Sequence, residues 1–60
     1  MEEVKFTIKG RAVSVRLNGD TLQKIRDGKV IESFGGFAPE KLKTMYNEMV
    51  TNTELEARNG

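Results

Sequence analysis

Between Phe37 and Val50 the chain reads FAPEKLKTMYNEMV, and Leu42, Met45, Tyr46, Met49 and Val50 recur there at the spacing of one face of an α-helix. Pro39 suits the first helical position, where its missing N–H would find no intrahelical partner anyway. Glu40 then falls in the first turn, where a carboxylate favours the helix dipole. With Ala38 as N-cap, Phe37 and Leu42 have the N′-to-N4 spacing of a hydrophobic staple, although Ala38 brings no side-chain acceptor to the cap. A helix of this length is marginal alone in water, so its stripe must close against a surface built by everything upstream.

That upstream half has the alternation of strands. Val4, Phe6 and Ile8 alternate with Lys5, Thr7 and Lys9, and Val13, Val15 and Leu17 alternate with Ala12, Ser14 and Arg16. Gly10 lets the second run return antiparallel to the first, giving a hairpin with one apolar side and one side carrying Lys5, Thr7, Lys9, Ser14 and Arg16. Asn18-Gly19-Asp20 is a turn by composition. The next stretch, TLQKIRDGKVIESF, has two readings. In one, Asp27-Gly28 is a type I′ turn joining Thr21 to Arg26 and Lys29 to Phe34 as a second hairpin. In the other, Asp20 caps a short helix over Thr21 to Asp27 that ends at Gly28. The hairpin is preferred because Lys29 to Phe34 is rich in β-formers. It would set Ile25 opposite Val30 and Lys24 opposite Ile31, and its mixed faces call for partial exposure on both sides or a bulge. Gly35-Gly36 ends the sheet, and the polar tail at 51–60 either continues the helix for a turn or two or frays, with fraying expected near its end because Leu55 lies off the stripe.

A chain of 60 residues is one domain near the lower size limit for independent folding, with an expected stability of roughly 3–9 kcal/mol. It contains no cysteine and no histidine, so disulfide staples and cysteine- or histidine-based metal sites are excluded. No clustered Asp/Glu pattern offers an all-oxygen metal site, and no cofactor motif is present. The N-terminus has neither signal-peptide nor transit-peptide character and no apolar run reaches membrane length, which points to a cytoplasmic protein. Acid–base catalysis would fall to carboxylates, lysines or Tyr46 with no convergent set, so an enzyme is not expected. The net charge of +1 conceals a division: seven Lys/Arg against four acids up to Ile31, then three against five glutamates.

The segments VKFTIKG (Val4 to Gly10), RDGKVI (Arg26 to Ile31) and APEKLKTM (Ala38 to Met45), with Val15 between the first two, resemble the seven-kilodalton chromatin proteins of thermophilic archaea. The resemblance spans most of the chain in the same order, in short pieces. It implies an N-terminal hairpin, a second sheet completing an SH3-like barrel, a C-terminal helix, and DNA coating without sequence preference. In that family an aromatic residue and apolar wedges on the second sheet enter the minor groove; the matching positions are Ile25 for the aromatic, and Asp27 and Val30 for the wedges. An aspartate is the wrong sign for a phosphate-lined groove, so Asp27→Val is expected to strengthen DNA binding. The family's last hairpin strand, with its arginine contact, has no counterpart between Ile31 and the helix.

The expected fold is therefore α+β: a small antiparallel sheet of two hairpins, SH3-like or a simple ββββα, packed against one C-terminal amphipathic helix. Lys5, Lys9, Arg16, Lys24, Arg26 and Lys29 either contact phosphates from one basic sheet face or merely keep a small sheet soluble and its edges blunt. With Val30 as the wedge position, the first reading gives a weak, non-specific nucleic-acid binder. The alternative is a protein-interaction module, an inhibitor or adaptor, that uses a sheet edge or the helix flank, including pairing with a second copy. Met45 and Met49 serve as core filler, or as an interaction surface if the sheet leaves them partly uncovered.

Overall fold

The structure, a computed structural model, describes residues 1–59. Four strands, β1 (Glu2–Ile8), β2 (Arg11–Asn18), β3 (Thr21–Arg26) and β4 (Lys29–Gly35), form one antiparallel sheet in the order β1-β2-β3-β4. One helix, α1 (Pro39–Asn59), follows. The ββββα alternative is thus the one adopted: the strands stay in a single sheet and do not divide into the two packed sheets of a barrel.

Two-residue turns set the register. Lys9 and Gly10 have φ of 52° and 78°, and Asp27 and Gly28 have 51° and 80°, the paired positive values of a type I′ turn, whose twist matches that of the flanking strands. Thr21 to Arg26 is a strand, so the hairpin reading holds and the short-helix reading falls. Ile25 lies opposite Val30 as expected, but Lys24 lies opposite Glu32 and not Ile31. A register shift at Lys24/Ile25 absorbs the extra residue of β4, and this bulge is one of the two outcomes expected from the mixed faces.

Val4 opposite Val15, Phe6 opposite Val13, and Leu17 opposite Leu22 put these six apolar residues on one side of the sheet. The helix lies over that side, against β1, β2 and part of β3. Val15, Leu22, Leu42 and Tyr46 are the buried centre, with Val4, Phe6, Leu17, Phe34, Met45, Met49 and Val50 packed around it. The Leu42 amide donates to the Ala38 carbonyl at 3.0 Å, which makes Ala38 the N-cap. Lys43 reaches Glu2 on β1 and Lys24 reaches Glu56, so one ion pair ties each end of the helix to the sheet.

The tail continues the helix. The helix runs on to Asn59, and Thr53 is fully buried, its hydroxyl donating to the Met49 carbonyl at 2.8 Å. Leu55 is indeed off the stripe and exposed. Gly60, the last residue of that expected tail, lies outside the described residues. No helix among the described residues is long and apolar enough to cross a membrane.

The weak cap gives a direct check on the helix start. Ala38→Ser supplies the missing acceptor and is expected to stabilise the domain by about 1 kcal/mol. In thermal melts followed by circular dichroism that is a rise of about 4–8 °C; no rise would move the helix start away from Pro39.

Candidate nucleic-acid interface

The strand parity that buries Val13 and Val15 also decides where the cations go. Lys24 stands opposite Val15 and Arg26 opposite Val13, so both belong to the helix side of the sheet. Lys5 and Arg16 stand on the other, uncovered side, with Ser14 and Ile25. The expected single basic face is therefore corrected to a set divided between two faces. Arg16 is also occupied: its Nη2 lies 3.1 Å, and its Nε 3.2 Å, from Glu3 Oε2. Lys24 is held by Glu56 at 3.3 Å, with its side chain only 14% exposed. Val30 is 52% exposed and opposite Ile25, on the uncovered side.

What the structure does bring together lies at one end of the sheet. The β1–β2 and β3–β4 turns are neighbours there, because Ala12 and Asp27 face one another: the Asp27 amide donates to the Ala12 carbonyl at 2.8 Å, and the Ala12 amide to Asp27 Oδ1 at 3.3 Å. Lys9 lies in the first turn and Arg11 directly after it, Arg26 and Lys29 flank the second, and all four are exposed. Below them, on the helix side, opens a cleft of about 420 Å³. Ile8, Val13 and Ile31 give it an apolar floor, and Lys9, Arg11, Lys24 and Arg26 a cationic rim. Glu56, already bridged to Lys24, is the carboxylate in its wall.

Arg11 was not among the residues singled out from the sequence. Its signal was available, since it precedes Val13 and Val15 at the same parity and so must share their side. Arg11 Nη1 lies 3.8 Å from Asp27 Oδ2, with both side chains more than half exposed, a contact that contributes little. Lys9, Arg26 and Lys29 take part in no ion pair among the described residues.

Lys9 is also in an unfavourable place. A type I′ turn wants Asn, Asp or Gly at its first central position, and a lysine there carries a left-handed backbone at a local cost of roughly 1–2 kcal/mol. In return it adds a cation to the lining of the cleft. Among the described residues no three Asp or Glu side chains gather to hold a metal ion.

By fold this is an α+β domain, a four-stranded meander roofed by one helix, with a cation-rimmed cleft where two hairpin tips meet. No protein-family model, curated protein or solved structure matches the chain.

Proposed function

We propose that this is a small cytoplasmic nucleic-acid-binding protein, not an enzyme, that holds the phosphate backbone with its hairpin tips and has little sequence preference. One observation carries the reading: Lys9, Arg11, Arg26 and Lys29 converge at one end of the sheet, and three of them are outside any ion pair among the described residues. The resemblance to the archaeal chromatin proteins supports the same ligand. The contact surface differs from the one that resemblance implies, because the cations gather at the tips and not across a sheet face. Ile8 and Ile31 on the cleft floor offer apolar contact to sugars or splayed bases beneath the phosphates.

Four phosphate contacts give a non-specific dissociation constant on the order of 10⁻⁴–10⁻⁶ M and a log–log salt slope of about −3.6. Fluorescence anisotropy with labelled duplex and single-stranded DNA at low salt measures both. Lys9→Asn is the decisive variant, because it puts a favoured residue into the turn while removing one cation. It is expected to melt higher than the parent, to bind several-fold more weakly, and to make the salt slope shallower by about one. Flat titrations up to about 50 µM protein at low salt, or a Lys9→Asn variant that binds like the parent, would sink the proposal.

A further inference from the structure

One helix, about 10 Å across, cannot roof four strands spaced about 4.8 Å apart, so some of the helix side of this sheet must stay bare. The bare strip is on β4. The helix packs on β1, β2 and β3, and Phe34 is the single residue of β4 that is not exposed. Between β4 and α1 runs a groove of about 350 Å³ whose floor is Phe34, Met45 and Met49, all only partly buried. Its rim is acidic: Glu32 from the strand, Glu48 and Glu56 from the helix, with Lys24 the cation among them and already bridged to Glu56.

We propose that this groove docks a cationic amphipathic helix of a partner protein, laid alongside α1. Methionine side chains adapt their shape to an incoming apolar face, and unbranched thioethers are favoured at surfaces that accept varied helices. Glu48 on α1 and Glu32 on β4 flank the apolar floor from opposite sides, where lysines on both edges of an apolar helical face would meet them. Glu32 and Glu48 take part in no ion pair among the described residues, so their charge is available to a partner. The groove shares Lys24 and Glu56 with the hairpin-tip cleft but is opposite to it in sign, so it would take a cationic ligand where the cleft would take an anionic one.

The test uses the whole chain and three synthetic peptides of about eighteen residues, some 27 Å of helix. The first is made of leucine and lysine with the leucines on one helical face; the second has glutamate for lysine; the third has the first one's composition with its order scrambled. Saturable NMR shifts of the Met45 and Met49 methyls and the Glu32 amide are expected with the first peptide alone. The double variant Glu32→Gln, Glu48→Gln removes two exposed charges without setting a second lysine opposite Lys24, and is expected to weaken that binding several-fold with little change in melting temperature. The proposal is overturned by no saturation up to about 1 mM peptide, by equal binding of the glutamate or scrambled peptide, or by shifts spread over Glu2, Glu3 and Glu40. It is overturned too if the same signals move with protein concentration alone, which would assign the groove to a second copy of the chain.

Discussion

Leu42→Ala is expected to remove most of the stability of this domain. Leu42 is 2% exposed and meets Val15, Leu22 and Tyr46 at the centre of the only substantial apolar cluster among the described residues. Deleting its three outer carbons loses their transfer free energy and leaves a cavity, together about 2–5 kcal/mol. The total stability expected for a chain of this size is roughly 3–9 kcal/mol, so the variant is left marginal or unfolded at room temperature. The upper part of the range is the better expectation here. Among the described residues only Val15, Leu22, Leu42 and Thr53 are buried to about 98% of their surface or more, so few neighbours can shift inward to fill the space. Urea denaturation followed by circular dichroism measures the loss directly. Leu55→Ala, at a position 48% exposed on the same helix, is the control and should stay within about 0.5 kcal/mol of the parent. A loss below about 1 kcal/mol for Leu42→Ala would mean that the helix does not close on the sheet through this residue.

The same packing explains what could and could not be read from the chain. The helix start was legible because Pro39 and the spacing from Leu42 onward are local signals. Its end was not. Thr53 continues the stripe seven residues after Tyr46, yet a threonine in a polar stretch reads as surface; only the tertiary fit, in which its hydroxyl turns back on the Met49 carbonyl, makes it core. The hairpins were legible from Asp27-Gly28 and from strict alternation in Val4 to Leu17. The side on which Lys24 and Arg26 emerge was harder, because it follows from pairing Leu22 with Leu17 across a two-residue loop, and a one-residue slip would send both to the other face. The bulge then moved Glu32, not Ile31, opposite Lys24. Charge alternation along a strand names the cations but not their company: Arg16 had Glu3 as its cross-strand neighbour all along, and Lys24 found Glu56 from the far end of the helix.

Asp27 ties the fold to the candidate site, and two substitutions there should diverge sharply. Removing its charge with valine, which the chromatin-protein resemblance favours, ignores the backbone. Asp27 has φ of 51°, where a β-branched residue is a steric outlier, and Val also loses the Oδ1 that accepts the Ala12 amide. The expected loss is about 2–3 kcal/mol, most of it backbone strain. Asparagine tolerates the left-handed region, keeps an oxygen for Ala12, and makes the Asn-Gly pair that type I′ turns prefer, so Asp27→Asn should stay within about 0.5 kcal/mol of the parent. It also releases Arg11 from its 3.8 Å carboxylate neighbour and leaves the hairpin tips with cations alone. DNA affinity should then rise several-fold at low salt and the salt slope should steepen, whereas the valine variant confounds any change in binding with partial unfolding. Equal melting temperatures for the two variants would show that residue 27 is not held in the left-handed turn. An asparagine variant that folds like the parent and binds DNA no better would show that phosphates do not approach these tips.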